Sequence, residues 1–148
     1  MQTVRTPAVA GLFYPADAAE LQTQVRGFLD QVEPPAEPPP KAIIVPHAGY
    51  IYSGPIAASA YARLRAARDL IHGVVLLGPS HRVGFRGIAV SGMEAFATPL
   101  GRIAVDREAV EQLEQLPEVG CLEQAHAQEH SLEVHLPFLQ EVLGHFKL

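Results

Sequence analysis

The amino-acid sequence predicts an α/β fold: a layered sheet with a parallel βαβ core and helices on both faces. Two short runs, Ala42–Val45 and Val74–Leu77, are fully apolar and rich in β-branched residues, which is typical of buried strands. An alanine-rich segment of helical character, about Ile56–Ala67, lies between them. A strand, a helix and a second strand of these lengths indicate a βαβ unit, in which the two strands run parallel.

The first forty residues predict one helix and a stiff connection. Ala8–Pro15 is apolar and closes with proline, so we expect a short extended segment and a turn. Asp17 precedes Glu20 by three residues, as in a helix-capping box, and helical spacing of the apolar residues predicts a helix over roughly Ala18–Val32. The proline-rich stretch Glu33–Pro40 favours an extended connection. The piece before it is too small to stand alone, so we expect a single domain over residues 1–148.

The later part of the chain predicts a mixed sheet with flanking helices. Asp106 is a candidate cap for the helix that follows it. In chain order we expect a strand at Ile88–Val90, a hairpin of Ala95–Thr98 and Arg102–Val105, a helix from about Arg107 to Leu116, a loop at Gly120–Ala127 and a helix that starts at His130 and runs toward Leu143.

Composition excludes several classes of function. The 148 residues carry a net charge of -5, and the Lys and Arg residues form no basic run, so neither nucleic acid nor an anionic membrane is an expected partner. No apolar run approaches the length of a membrane span. Cys121 is the single cysteine, which rules out an intramolecular disulfide and suits a reducing cytoplasm. We therefore expect a cytoplasmic protein.

Two histidines follow the predicted parallel strands. His47 comes two residues after the first strand and His81 four residues after the second. Parallel strands end at the same edge of a sheet, where open α/β sheets bind their ligands. Neutral imidazole binds Fe, Zn and Cu well, so the pair is a candidate metal site. The alternative is that each is a loop residue bonded to backbone, and spacing alone favours that alternative.

A second polar cluster precedes the last predicted helix. Glu129, His130, Glu133 and His135 supply potential metal ligands, a general base or groups that orient a ligand. The alternative is helix capping on a solvated face, which we favour for Glu129. Ser80 does not lie in a nucleophile elbow, because the second glycine of that motif is missing. A zinc hydrolase would need a third ligand and a base, and the sequence shows neither plainly.

Five motifs together resemble the Memo family over nearly the whole chain. They are PHAGYIYSG at 46–54, LGPSH at 77–81, EHSLEVHLP at 129–137, AGLFYP at 10–15 and TPLG at 98–101. The resemblance implies a LigB-like, Memo-like fold, similar to the class III extradiol dioxygenases, which are non-haem iron enzymes. Bacterial members are known as protein B of a system that also contains an AMMECR-type protein and a radical SAM protein, which the resemblance implies as partners.

The resemblance also implies roles for individual residues. His47 and His81 match the metal-binding histidines of the family, with Fe(II) as the expected divalent ion and Cu or Zn as alternatives. Phe13 and Tyr52 match aromatic residues that line the pocket, and we add Ser80 to that lining. Phe13 replaces a tryptophan of animal members, which keeps the stacking face and removes the indole donor. His130 and Glu133 are our candidates for catalytic residues.

These roles imply a metal-binding protein with a pocket like that of a non-haem-iron dioxygenase, acting on an aromatic diol or a similar small molecule. The alternative is a non-catalytic protein of the same fold that binds a metal, a small molecule or peptide, or a protein partner.

Length sets a limit on this expectation. Family members run to about twice this length, and their later half supplies a third metal ligand and an Asp/His pair. We therefore expect the chain to correspond to the N-terminal half of the family domain, with an incomplete site. The missing half also predicts an exposed apolar surface, and hence an oligomer or a partner.

Overall fold

The computed structural model describes residues 3–33 and 36–148. Residues 34 and 35 fall inside the predicted proline-rich connection, so this part of the prediction lies outside the described residues. The described strands are β1 (Val4–Arg5), β2 (Ile88–Val90), β3 (Ala95–Thr98), β4 (Gly101–Ala104) and β5 (Val119–Cys121). The helices are α1 (Ala18–Asp30), α2 (Tyr50–Tyr61), α3 (Arg107–Leu113), α4 (Glu123–Ala127) and α5 (Leu136–Leu143), with 3-10 segments at Ala62–Ala67 and Glu133–His135.

The strands form two small sheets, and both contain a parallel pair. In the first sheet, β3 lies between β1, to which it is parallel, and β4, to which it is antiparallel. In the second sheet, β2 and β5 pair in parallel. Helices and sheets that contain parallel pairs confirm the predicted α/β class. The hairpin of β3 and β4 is also confirmed, with its second strand beginning one residue earlier than predicted.

The hydrophobic core lies where α1, α2 and α5 pack against one another. Burial of these side chains removes apolar surface from water, which is the main favourable contribution to folding. The members of the core that these three helices contribute are Leu21, Val25, Leu29, Tyr50, Ala57, Ala58, Tyr61, Leu136, Phe138, Leu139, Val142 and Leu143.

The caps of two helices are those that the sequence predicts. The Asp17 carboxylate accepts the backbone N–H of Glu20 at 2.9 Å, and α1 follows. The Asp106 carboxylate accepts the N–H of Ala109 at 3.3 Å at the start of α3. Each cap supplies an acceptor to one of the N–H groups that have no partner within the first turn.

The two apolar runs of the predicted βαβ unit are not strands of a ladder. Ala42–Val45 and Val74–Leu77 are neither helical nor paired with each other, although their exposure alternates along the chain as in a strand. The one parallel bridge of this region joins Gly73 to Lys147 among the described residues. Strand pairing needs a neighbour at the right distance, and among the described residues only the N–H of Val74 has one, the Lys147 carbonyl at 2.9 Å. The prediction that these two runs form the strands of a βαβ unit is therefore wrong.

Other boundaries also differ from the prediction, and α1 and α3 end at Asp30 and Leu113, two and three residues earlier than predicted. Helix α2 begins at Tyr50 rather than Ile56, since the buried Tyr50 hydroxyl donates to the Val134 carbonyl at 2.6 Å and holds the first turn in place. The predicted loop Gly120–Ala127 contains the last two residues of β5 and all of α4. Strand β5 forms because pairing with β2 overrides the low strand propensity of glycine. The last helix begins at Leu136, after a 3-10 turn, and not at His130.

No helix in the described parts of the chain combines the length and the apolar character that a membrane crossing requires. The longest, α1, has 13 residues.

Candidate metal centre

Three histidines from distant parts of the chain come together at one site. His47 follows the first apolar run, His81 follows the second, and His130 precedes the 3-10 turn before α5. The ring centroids of His47 and His81 lie 5.3 Å apart, those of His81 and His130 4.6 Å apart, and those of His47 and His130 5.8 Å apart. The structure therefore brings together both predicted ligands and adds His130, which we predicted as a catalytic residue.

The spacing of the ring nitrogens suits a shared metal ion. One nitrogen from each histidine lies within 4.8 Å of the nitrogens of the other two. Bonds of about 2.0–2.1 Å to one ion would hold such nitrogens roughly 3–3.5 Å apart, so small side-chain rotations suffice. Within the described residues, this is the one group of histidine, cysteine and carboxylate side chains with such spacing.

A buried carboxylate holds two of the three histidines. Glu129 is 6% exposed and accepts the backbone N–H of His81 at 2.6 Å and the Nδ1–H of His81 at 2.8 Å. It also accepts the backbone N–H groups of His130 at 2.9 Å and Ser131 at 3.0 Å. With Nδ1 of His81 donating to Glu129, its Nε2 is the nitrogen available to a metal.

The same hydrogen bonds keep Glu129 ionised. Burial raises the pKa of a carboxyl group, but the hydrogen bonds from His81, Ser131 and His130 outweigh it and lower the pKa of Glu129 to about 2. The sequence favoured a capping role on a solvated face for this residue; the carboxylate does accept the N–H groups of His130 and Ser131, but the solvated face is wrong, because Glu129 is buried. The one local signal was its position directly before His130.

The environment of His130 favours the neutral ring. Burial lowers its pKa, the Glu129 carboxylate raises it, and the neighbouring His81 and His47 lower it further. Neutral imidazole is the form that binds metals. The Phe13 ring packs against His130 with a centroid distance of 4.5 Å, which places it beside the three histidines.

Tyr52 and Ser80, the other two predicted lining residues, make no ring contact or side-chain hydrogen bond with the three histidines among the described residues. Tyr52 lies in α2 and its side chain is 81% exposed. Ser80 adjoins His81 in the sequence, but its hydroxyl donates to the Val83 carbonyl at 2.8 Å and shapes the loop.

Glu133 belongs to a separate buried network. Its carboxylate accepts hydrogen bonds from Arg5 at 2.5 Å, from the Tyr14 hydroxyl at 2.6 Å, and from the backbone N–H groups of Ala8 and Val9 at 2.8 and 3.0 Å. These donors occupy both oxygens, so the geometry gives Glu133 a structural role in place of the predicted catalytic one. The sequence analysis did not single out Arg5. Its positive charge offsets the free-energy cost of burying the Glu133 carboxylate.

His135 is buried beside the core and apart from the candidate site. Its ring lies 6.0 Å from that of Tyr61. Burial, with a smaller contribution from the charge of His47, lowers its pKa to about 4. It is therefore neutral at neutral pH.

Comparisons with known proteins identify the family. Residues 5–148 match the family model described as "Memo-like protein". The chain is similar to a MEMO1 family protein of Aquifex aeolicus, with 47% identity over 137 residues, which cover 93% of this chain and 49% of that protein. It is also similar to a MEMO1 family protein of Ignicoccus hospitalis, with 42% identity over 151 residues, 95% of this chain and 53% of that protein. The chain thus spans about half the length of the curated relatives it matches. On these grounds the chain belongs to the Memo family.

Proposed function

We propose that this chain is a metal-binding protein in which His47, His81 and His130 hold one divalent ion. The observation that carries the proposal is the approach of three imidazole nitrogens to within 4.8 Å of one another. Three neutral nitrogen ligands suit Fe, Zn and Cu and leave further positions open to other ligands. We favour Fe(II), because the family resembles non-haem iron enzymes, and we keep Cu and Zn as alternatives.

A dioxygenase-like pocket is the activity that we infer for this centre. A ferrous ion would supply one-electron chemistry toward dioxygen and an aromatic diol. Phe13, packed at 4.5 Å from the His130 ring, offers an aromatic face beside the ligands. Glu129 would keep the His81 ring oriented through the 2.8 Å hydrogen bond to Nδ1.

A non-catalytic metal protein is the second candidate, and one observation favours it. Glu129, the carboxylate beside the histidines, is saturated by four hydrogen bonds, and its pKa of about 2 makes it a poor proton acceptor. Oxygen uptake on a panel of catechols by the Fe(II)-loaded chain would favour the dioxygenase. Metal binding without uptake on any of them would favour the second candidate.

Metal analysis under anaerobic conditions tests the ligands themselves. We expect about one Fe(II) per chain for the unaltered protein, and strongly reduced binding for His47→Ala, His81→Ala and His130→Ala. His145→Ala is the matched control, because His145 is exposed and lies outside the cluster. Unchanged metal content in all three cluster variants would overturn the assignment.

A further inference from the structure

Ser131 joins the segment that carries His130 to the loop that carries His81. The Ser131 hydroxyl donates to the Pro79 carbonyl at 2.7 Å, and the residue is 1% exposed. The backbone N–H of Ser131 donates at 3.0 Å to Oε1 of Glu129, the oxygen that also receives the Nδ1–H of His81. One buried residue therefore contacts both the His81 loop and the carboxylate that orients the His81 ring.

The carbonyl of Pro79 depends on this donor. Proline has no N–H, so the carbonyl is the only backbone group of Pro79 that can bond the loop to its surroundings. Within residues 3–33 and 36–148, the Ser131 hydroxyl is the only protein group that donates to it. Loss of the hydroxyl would leave the Pro79 end of the loop without a hydrogen bond to the His130 segment.

Gly78 allows the loop to approach Ser131 this closely. A Cβ atom at position 78 would lie 3.0 Å from Oγ of Ser131, 3.3 Å from its Cβ and 2.8 Å from Cδ2 of Leu132. The Leu132 methyl group can rotate away, but Ser131 is held by its two hydrogen bonds. A side chain at position 78 would therefore push the loop away from the His130 segment, because packed atoms leave no room for it.

The Ser131 contact holds the His81 loop at a second point. Glu129 accepts the backbone N–H of His81 at 2.6 Å and holds one end of residues 79–81, and Ser131 holds the other end at Pro79. A loop bonded at one point can pivot about it, whereas two bonds two residues apart fix its direction. The loop held in this way places the His81 ring against the His130 ring, with centroids 4.6 Å apart and 18° between the ring planes.

We propose that Ser131 is a positioning residue of the candidate metal centre. Through Pro79 it determines the distance and the angle between the His81 and His130 rings, and hence the arrangement in which both present a nitrogen to the ion. This inference rests on the proposed function, in which the two histidines are ligands. Ligands that are held in place before the ion arrives bind it more tightly than ligands that must first be ordered.

Ser131→Ala removes only the hydroxyl, and Ser91→Ala is the matched control. Ser91 is 7% exposed and its hydroxyl donates to Glu123 at 2.8 Å, so both variants lose a similar hydrogen bond. Competition with a chromophoric chelator measures the affinity for Zn(II). We expect Ser131→Ala to lower this affinity by about 10-fold, the lower end of the range for groups that orient ligands, and Ser91→Ala to leave it unchanged. Gly78→Ala should lower it as well, because it separates the same two segments.

Saturation with Co(II) distinguishes positioning from a loss of stability. The visible absorption bands of bound Co(II) depend on the arrangement of its ligands, whereas a variant that is only less stable keeps the bands of the unaltered protein once it is saturated. We therefore expect Ser131→Ala to shift the bands and Ser91→Ala to retain them. Unchanged Zn(II) affinity together with unchanged Co(II) bands in Ser131→Ala would overturn the proposal.

Amide exchange in EDTA tests the loop contact without any metal. The N–H of His81 is bonded to Glu129, and we expect it to exchange roughly 10-fold faster in Ser131→Ala, because the loop has lost its second hydrogen bond. An equal exchange rate in the variant and the unaltered chain would also overturn the proposal. An unaltered chain that binds neither Zn(II) nor Co(II) would refute the proposed function instead, and the exchange rates would still decide whether Ser131 holds the His81 loop.

Discussion

At the scale of single residues, Glu129 connects the two loops of the histidine cluster. It accepts N–H groups from His81 on one loop and from His130 and Ser131 on the other. It also receives the Nδ1–H of His81, which determines the tautomer and the direction in which Nε2 points. The carboxylate therefore controls both the separation of the loops and the nitrogen that one ring presents.

Replacing Glu129 should weaken metal binding more than it weakens the fold. Glu129→Gln keeps the size of the side chain but removes the charge and one acceptor oxygen, so the His81 ring is no longer held in one tautomer. Loss of such an orienting partner typically costs about 10- to 100-fold in metal affinity. Competition for Zn(II) with a chromophoric chelator measures this change. Glu111→Gln, an exposed substitution on α3, is the control, and equal affinity in both variants would contradict the role.

His135 should make stability depend on pH. Burial lowers its pKa in the folded state to about 4 from the ordinary 6.5, so the unfolded chain binds the proton more readily. The buried neutral ring of His135 therefore contributes fully to the free energy of unfolding above pH 6.5, and this contribution is lost as the pH falls toward 4. The full shift of the His135 pKa corresponds to about 3 kcal/mol. Urea unfolding at pH 7.5, 5.5 and 4 measures it. His135→Gln should flatten the dependence of the free energy of unfolding on pH, whereas His145→Gln, at an exposed position, should leave it unchanged. An equally steep dependence in both variants would contradict the assignment.

The sequence predicted the proximity of His47 and His81 but not the role of Glu129, for a physical reason. The approach of the two histidines depends on local features, because each follows an apolar run after a fixed number of residues. The role of Glu129 depends on a contact with His81, 48 residues away, which also buries its carboxylate. No helical or strand periodicity records such a contact.

At the scale of secondary structure, α1 packs closely against α2 at Gly54. A Cβ atom at this position would overlap the ring of Phe28 in α1. The absence of a side chain allows the two helices to approach, and the Phe28 ring fills the space, stacked on Phe138 with a centroid distance of 6.5 Å. Glycine is thus required here by close approach and not by backbone conformation.

Gly54→Ala should therefore destabilise the fold, although alanine is the better helix former. Alanine gains up to about 1 kcal/mol in helix propensity, but displacing a packed ring costs about 1–3 kcal/mol. We expect a net loss of roughly 1 kcal/mol, measured by chemical unfolding. In a Phe28→Leu background the smaller side chain should remove most of this loss. A loss of the same size in both backgrounds would show that the Phe28 ring is not the cause.

The elements that the sequence predicted well are those with local signals. Helices α1 and α3 begin after aspartate caps, and β3 and β4 meet at a turn around Pro99-Leu100-Gly101. Strand β5 carries no such signal, because three residues with a central glycine become a strand only beside β2. Conversely, Ala42–Val45 has strong strand propensity and no partner in the described residues. Propensity predicts which segments can pair, and tertiary neighbours decide which do.

At the scale of the whole molecule, Arg5 joins the start of the chain to the segment that ends at Glu133. Its guanidinium donates to the Glu133 carboxylate and to the backbone carbonyls of His126 and Glu129. It also lies over the ring of Phe96, 5.4 Å from the centroid. Arg5 is 4% exposed and Glu133 is 1% exposed, so solvent screens this pair very little. The network thus joins β1, β3 and the turn before α5.

Breaking this pair should destabilise the protein far more than breaking a surface pair. Arg5→Met keeps much of the volume but leaves the Glu133 charge buried, and removal of one partner of a buried ion pair typically costs about 3–5 kcal/mol. The Tyr14 hydroxyl and the N–H groups of Ala8 and Val9 still bond the carboxylate, so we expect the lower end of this range.

Urea unfolding at pH 7 compares Arg5→Met with Arg63→Met, whose partner Glu37 is exposed and whose loss should leave the unfolding midpoint nearly unchanged. Because one side chain joins segments more than 120 residues apart, Arg5→Met should also speed amide exchange at both Val9 and Val134. Faster exchange at Val9 alone, with Val134 still protected, would show that the network anchors the first strand without supporting the turn before α5.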